Sequence, residues 1–495
     1  MLAVDSRLII LPKYSSSLIE FKSNLETTNK VLTITADELK TSLESKDKPI
    51  IFDLGNIHRY EERHIPGSAY AVCNEDSKKN IMPRLPKNIK IVLVSEDEEY
   101  SKHMALMMDQ MGLKARYLQG GLDSWKWSFE ESTDKDITAN ELKKDLDTDL
   151  DLFLLDVREP DEFAEWNIEG SHNIPLSNIY NSLDQIPLNK KVITICPHGN
   201  RAKIAKFIMQ PYGYDVRCLM GGLKAWSTAL EHTVNNFEIS GNKVEVIFVK
   251  RLGKGCASYI VCSGRESAVI DPVFPIDYYL KLAEKHNIKF TMVYDTHQHA
   301  DHVSAAKELA DKTGADLYLS SYEEYSFEYK PLQNGDVHKI GNIGLQAIHT
   351  PGHTIGSISI LLGGRILFTG DTLFTNGVGR PDLRDKAPDF AAALYDSLHN
   401  KILTLDENII VYPAHFNKYM KIGEFMPSTL AMIKESLRPL LSLEKDSFVQ
   451  KITTTIMPTP KSYKEIITVN KNNKMLSSIN EIHELEIGPN RCNIS

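Results

Sequence analysis

Short apolar runs alternate with amphipathic stretches along the part of the chain ahead of Val244. Pro49 to Leu54, Ile91 to Ser95, Phe153 to Val157 and Val192 to Cys196 are compact, β-rich and bounded by turn residues. Between and after them, Tyr100 to Met111 and Arg201 to Gln210 carry helical spacing. This alternation predicts parallel sheets flanked by helices. From Val244 onward the pattern changes to adjacent strands, Ala257 to Cys262 and Ser267 to Ile270, after which helix and strand alternate again. Polar stretches near Glu130 to Asp136 and Glu231 to Asn242 read as linkers. The tail after Glu424 reads as helical, then irregular through Pro458-Thr459-Pro460.

The first two blocks are copies of each other, offset by about one hundred residues. Pro49-Ile50-Ile51-Phe52-Asp53-Leu54 pairs with Phe153-Leu154-Leu155-Asp156-Val157, and His64-Ile65-Pro66-Gly67-Ser68 with Asn167-Ile168-Glu169-Gly170-Ser171. Gly120-Gly121-Leu122-Asp123-Ser124-Trp125 pairs with Gly221-Gly222-Leu223-Lys224-Ala225-Trp226. Three units follow, over 31–130, 137–230 and 243–495.

Composition narrows the picture only modestly. A chain of 495 residues is too long for one core. A net charge of −9 without a long basic run argues against nucleic acid and anionic membrane surfaces as partners. The apolar patch Leu8-Ile9-Ile10-Leu11 is flanked by Asp5, Arg7 and Lys13 and does not read as a signal peptide. No window reaches the roughly 20 apolar residues of a membrane span. Six cysteines without paired spacing fit a reducing compartment, so a cytoplasmic protein is expected.

Candidate chemistry begins with one thiol. The strand Val192 to Ile195 runs into Cys196-Pro197-His198-Gly199-Asn200-Arg201-Ala202, and a helix starts at about Arg201. Such a turn aims backbone N–H groups and a helix N-terminus at the sulfur. Both are expected to lower the thiol pKa below about 8.5 and to stabilise a persulfide. Together with Asp156-Val157-Arg158-Glu159, Gly170 to Pro175 and Gly221 to Trp226, this stretch resembles the rhodanese family of sulfurtransferases. The resemblance implies that Cys196 carries the persulfide, and that the Arg201 side chain or the loop amides steady the transferred group.

The first copy has Ser95 where the thiol belongs, followed by Glu96-Asp97-Glu98-Glu99. Four carboxylates would repel a persulfide or sulfite. Asp53 lacks the arginine that follows Asp156 by two positions, and Cys73 stands elsewhere. This copy is expected to be a silent rhodanese fold used for packing or docking.

The third block carries the sharpest signal. Thr296-His297-Gln298-His299-Ala300-Asp301-His302 lies between the strand Phe290 to Asp295 and the helix Val303 to Lys312. His353, Asp371 and His415 each follow a strand, so five of the sixteen histidines gather on one expected rim. His349 reads as an ordinary polar residue. The constellation, over about Lys243 to Pro427, resembles the metallo-β-lactamase superfamily. The expected fold class is therefore multidomain α/β, with two rhodanese-like domains followed by an αβ/βα sandwich.

Two metal readings compete. Seven ligands suffice for a dinuclear thioesterase of the glyoxalase II type, acting on an acyl-glutathione. Alternatively, two histidines and one aspartate make a facial triad for one Fe(II), with open positions for a substrate sulfur and O₂. His299-Ala300-Asp301-His302 and Gly377-Val378-Gly379-Arg380-Pro381-Asp382-Leu383 resemble persulfide dioxygenases, notably those fused to rhodanese domains. That resemblance implies one Fe(II) per chain on His297, His353 and Asp371, with Arg380 helping to bind the thiol. His299, Asp301, His302 and His415 would orient ligands or relay protons. The expected substrates are a small thiol persulfide and O₂, in the chemistry of sulfide detoxification, with room for a homo-oligomer. Asn417 stands where glutathione-dependent members are expected to have tyrosine, so glutathione, coenzyme A and other thiols stay open, as does the direction of sulfur flow. A third reading is a sulfur-carrier module relaying through Cys196. Cys256 and Cys262 read as small apolar packing residues.

Overall fold

The computed structural model describes residues 32–486 except 46–47, 72–74, 132–135, 149–150, 382–386, 417–427, 456–461, 475 and 477, and it also describes residues 493–494. The apolar patch near residue 10, Cys73, Pro458-Thr459-Pro460, Asp382-Leu383 and Asn417 lie outside the described residues. The chain divides into two compact units, Met1–Thr133 and Asp134–Ser495.

In the first unit, β1 (Thr33–Ile34), β2 (Ile50–Asp53), β3 (Ser68–Tyr70), β4 (Lys90–Val94) and β5 (Lys114–Leu118) form one sheet ordered β1-β5-β4-β2-β3. All its pairings are parallel, as alternating strands and helices require. Helix α1 (Glu98–Gln110) follows β4, and its start is explained by Asp97, whose side chain accepts from the amides of Glu99 and Tyr100. One of the four carboxylates beyond Ser95 is thus a helix cap. Another, Glu96, pairs with Arg59, whose guanidinium also grips Asp53. Arg59 therefore replaces the arginine that looked missing beside Asp53.

The second unit begins with β6 (Leu152–Asp156), β7 (His172–Asn173), β8 (Lys191–Ile195) and β9 (Val216–Cys218), a parallel sheet ordered β7-β6-β8-β9. The Cys196 loop leads from β8 into α2 (Asn200–Met209), and α3 (Gly222–Thr228) closes over it. Gly222 has φ +59°, and a Cβ there would collide with the Cys196 carbonyl oxygen, so only glycine allows this approach.

The expected linker from Glu231 to Asn242 is instead a strand. β10 (Leu230–Ile239) pairs antiparallel with β11 (Asn242–Arg251) along its whole length, through a two-residue turn with Ser240 and Gly241 both at positive φ. β10 is an edge strand, and its polar residues protect that edge from pairing with other chains, which is why it reads as a linker.

β10 and β11 continue into β12 (Ala257–Ser263), β13 (Glu266–Ile270), β14 (Lys289–Tyr294), β15 (Asp316–Ser320) and β16 (Lys330–Leu332), in chain order across one sheet. The second sheet uses β17 (Val337–Ile340), β18 (Ile343–His349), β19 (Ile358–Leu362) and β20 (Ile366–Gly370). After the small hairpin of β21 (Leu373–Phe374) and β22 (Gly377–Gly379), the chain returns to β20 through β23 (Ile410–Pro413) and β24 (Ser428–Thr429). Phe248, Tyr259, Tyr294, Ile360 and Phe368 belong to the core between the sheets. A helix over Asp277–His286 and α4 (Ala306–Thr313) cover the first sheet, and helices over Ala387–Ser397, Leu430–Ser436 and Lys445–Thr454 cover the second. This is the αβ/βα sandwich. The tail returns to helix at Tyr463–Asn472 and α5 (Ile479–Leu485), and Asn493–Ile494 pairs antiparallel with β22.

Buried Arg251 of the sandwich reaches the Cys196-bearing block while held by an ion pair. Arg251, 1% exposed, donates from Nε to the Ser227 carbonyl at 2.5 Å and pairs with Glu486 at 2.6 Å. Glu486 also accepts from the Val303 amide at 2.6 Å, at the start of the segment leading to α4. Replacing Glu486 by glutamine leaves a buried guanidinium charge without its counter-ion, a change that costs about 3–5 kcal/mol. The second unit is therefore expected to unfold at clearly lower urea in Glu486→Gln, measured by tryptophan fluorescence.

Candidate metal centre and persulfide loop

The strand ends converge as the sandwich geometry requires. Asp271 follows β13 and receives the Thr296 amide at 2.7 Å and the Thr296 hydroxyl at 2.8 Å. Because that hydroxyl donates to Asp271, it accepts from Nδ1–H of His297 at 3.0 Å. His353 donates its own Nδ1–H to the Arg380 carbonyl at 2.9 Å. Both imidazoles thus present a bare Nε2 lone pair, the tautomer a metal ligand needs. His415 Nδ1 donates to Asp371 Oδ1 at 2.7 Å and leaves Oδ2 uncommitted.

His297 Nε2, His353 Nε2 and Asp371 Oδ2 are buried and have no hydrogen-bond partner among the described residues. Asp371 Oδ2 lies 3.6 Å from His297 Nε2 and 3.4 Å from His353 Nε2, and the three residues group within 4.8 Å. Three orphaned ligand atoms facing one point are costly unless a cation fills it. The donor set therefore fits a metal ion. Burial, and then neighbouring His299, hold His297 well below the usual histidine range, and burial lowers His353 as well. Burial opposes charge on Asp371, but His415, His297 and His353 together outweigh it and keep the carboxyl well below the usual carboxylate range. Two neutral imidazoles and one carboxylate result. Gly379 lets β22 pass this close, since a Cβ there would collide with the Asp371 carbonyl oxygen and press on His353.

The remaining residues of the motif lie elsewhere. His299 turns Nε2 to Asp271 Oδ1 at 3.2 Å, with Asp295 Oδ1 at 3.7 Å. Burial disfavours its charge, yet the two carboxylates raise its pKa well above the ordinary value. His415 spans Asp371 and Asp301, the latter at 3.1 Å, and His302 donates to Asp301 at 2.9 Å. Cys256 joins this second group, its thiol 3.3 Å from Asp301 Oδ2, so it is more than apolar packing. Burial and Asp301 push the Cys256 thiol up, but His302 and His415 draw it down to about 7. Cys262 does pack as expected, with burial pushing it up to about 12. His349 stacks on Tyr322 and bonds the Ile355 carbonyl, apart from the metal groups. Asp271, Asp295 and Cys256 were not singled out from the sequence. Asp271 and Asp295 each directly follow a strand, as His353, Asp371 and His415 do or nearly do, and that was the signal they offered.

Arg380 is 1% exposed, and what it gives the site is its carbonyl, which orients His353.

At the other site, Cys196 Sγ accepts from the amides of Gly199 at 3.1 Å and Ala202 at 3.3 Å. Gly199, at φ +92°, turns the loop so that these amides face inward. The thiol itself departs from expectation. Burial pushes Cys196 up, and the Ala202 amide, Arg201 and the amides of His198 and Gly199 only partly offset it. At 1% exposure the desolvation of a thiolate exceeds what the cradle returns. Arg201 spends both terminal nitrogens on Glu162, each at 2.7 Å, and drives that carboxyl, against its burial, down to about 2. The loop amides, not the Arg201 side chain, are thus the donors to sulfur. In the first unit Ser95 bonds Ser101 at 2.8 Å and the Asp97 carbonyl, an arrangement without a thiol.

Comparisons with known proteins agree with this architecture. Residues 35–127 and 138–229 match the rhodanese-like domain, and residues 252–415 match the metallo-beta-lactamase superfamily. The human mitochondrial persulfide dioxygenase ETHE1 is 30% identical over 203 residues, covering 40% of this chain and 74% of the human protein. The hydroxyacylglutathione hydrolase GloC of Haemophilus influenzae is 28% identical over 203 residues, covering 37% of this chain and 93% of that protein. The crystal structure of ETHE1 from Myxococcus xanthus covers 49% of this chain and 100% of its own, with 28% identity and a TM-score of 0.41. The chain belongs to the metallo-beta-lactamase superfamily and carries two rhodanese-like domains ahead of that fold. Within the superfamily it is a homologue of the persulfide dioxygenase ETHE1. No helix among the described residues is long and apolar enough to cross a membrane.

Proposed function

We propose that this protein is an iron-dependent persulfide dioxygenase, with one Fe(II) per chain on His297, His353 and Asp371, coupled to sulfur transfer at Cys196. The observation that carries this reading is the three-atom face of His297 Nε2, His353 Nε2 and Asp371 Oδ2, from which His299 is withdrawn by Asp271. Two imidazoles and one carboxylate with open positions suit non-haem Fe(II), which when bound would take a substrate sulfur and O₂. Thr296 and the Arg380 carbonyl hold the imidazole tautomers, and His415 holds the carboxylate. The reaction balances as RSSH + O₂ + H₂O giving RSH, sulfite and two protons. His415, linked to Asp301 and His302, is placed to carry a proton away from Asp371.

At Cys196 the thiolate attacks the sulfane sulfur of a persulfide or thiosulfate. The S–S bond breaks, thiol or sulfite leaves with the electron pair, and the loop amides hold the new persulfide charge. We assign this work to residues 137–230, the oxidation to 243–495 and a structural role to 31–130, in a cytoplasmic protein. Oxygen consumption by the iron-loaded protein on addition of glutathione persulfide or coenzyme A persulfide tests the reading. No uptake with either, alongside hydrolysis of an acyl-glutathione, would overturn it.

One observation favours a second reading. Cys256, Asp301, His302 and His415 could hold a further ion, as a dinuclear thioesterase requires. Against it, such a site also needs His299, which groups with Asp271 and Asp295 and with neither ligand cluster, although its Nδ1 has no hydrogen-bond partner among the described residues.

The first copy supplies a further prediction. Ser95→Ala should leave both turnover rates at the parent level, and Ser95→Cys should add no sulfurtransferase site, since Glu96, Glu98 and Glu99 disfavour a thiolate. O₂ uptake and thiosulfate-dependent sulfur transfer in Ser95→Ala, and sulfur transfer by Ser95→Cys in a Cys196→Ser background, check this.

A further inference from the structure

The rim of the Cys196 loop is partly built by the other end of the second unit. α3 caps the loop, with the Leu223 amide donating to the Cys196 carbonyl at 2.9 Å and the Lys224 amide to the Pro197 carbonyl at 3.0 Å. Lys224 and His198 therefore flank the turn that holds the thiol. Glu484, on α5 at the end of the sandwich domain, reaches both of them. Its Oε1 lies 2.5 Å from Lys224 Nζ and 3.3 Å from His198 Nε2. Two residues on, Glu486 is fixed by Arg251 and by the Val303 amide. The position of Glu484 is thus set by a buried anchor, although its own side chain is half-exposed.

Lysine and histidine beside an amide cradle would draw in small anions. A carboxylate between them offsets that attraction, and the attraction lost grows with the charge of the incoming group. Thiosulfate and sulfite concentrate a double charge in a few atoms, whereas the reacting end of a thiol persulfide carries at most one. We propose that Glu484 is a specificity-determining residue of the Cys196 site, selecting thiol persulfides over small inorganic dianions. The proposal rests on the reading of Cys196 as a sulfur-transfer thiol. It gives the sandwich domain a direct part in choosing what the rhodanese-like domain accepts.

The test uses the full chain and Glu484→Gln, which removes the charge and keeps the shape. Sulfur transfer to cyanide is measured with thiosulfate and with glutathione persulfide as donors. At low ionic strength the KM for thiosulfate should fall about three- to tenfold, with kcat and the persulfide KM changed less than about twofold, and the gap should close in high salt. Alkylation supplies a readout independent of turnover. Iodoacetate, an anion, should gain on neutral iodoacetamide at Cys196 by a similar factor, followed by peptide mass spectrometry with buried Cys218 as reference.

An unchanged thiosulfate KM together with an unchanged reagent ratio would overturn the proposal. So would equal acceleration by both reagents, because that reports a loosened helix and not a lost charge. If the parent protein transfers no sulfur from either donor, the reading of Cys196 fails first. The reagent ratio then still decides whether Glu484 screens the rim.

Discussion

Alanine at His353 or Asp371 is expected to leave the protein without bound iron and without O₂ uptake on addition of a persulfide. Each substitution removes one of three ligand atoms that have no other partner among the described residues. Loss of outer partners of a metal ligand already costs about 10–100-fold in affinity, so loss of a ligand should exceed that. Iron per chain, measured by elemental analysis after protein production in iron-sufficient cells, should drop from about one to near zero. His299→Ala is the informative contrast. With its Nε2 turned to Asp271, His299 lies outside the three-atom face, and its loss should leave the iron count at one. Two metals per chain in the parent, one of them lost in His299→Ala, would instead support the dinuclear thioesterase.

The second large effect concerns how the two chemistries connect. Cys196→Ser keeps the size of the side chain and removes the nucleophile, since a serine hydroxyl is far less acidic. O₂ uptake with preformed thiol persulfide should persist, while thiosulfate gives way to free sulfite among the products. With thiosulfate plus thiol as the only sulfur source, O₂ uptake should fail in the variant if Cys196 feeds the iron, whereas if Cys196 only consumes sulfite the parent itself should show none from that source. Products and rates equal to the parent from both sources would make the second rhodanese-like domain as silent as the first.

Much of the architecture was legible in local pattern. Alternating β-rich and helical stretches place β6, β8 and α2 correctly, because strands buried on both faces read as apolar runs. The motif residues His297 to His302, His353, Asp371 and His415 were recognisable from spacing and from their place after strands. The misreadings have separate causes. β10 looked like a linker because an edge strand is polar by design. Arg59 was overlooked because it reaches Asp53 from a different position than Arg158 reaches Asp156. Cys256 looked apolar because its partner Asp301 is 45 residues away in the chain.

The sequence by itself determined the residue types, their order and the strand-end context that brings metal ligands to one rim. Only the tertiary structure decided which atoms remain uncommitted there. Whether His299 faces the metal or Asp271, and whether the Cys196 thiol is lowered by its amides or raised by its burial, depends on groups far apart in the chain. Protonation and ligation are set by differences between desolvation and pairing at distances of a few ångströms. Linear spacing carries neither quantity until the chain has folded.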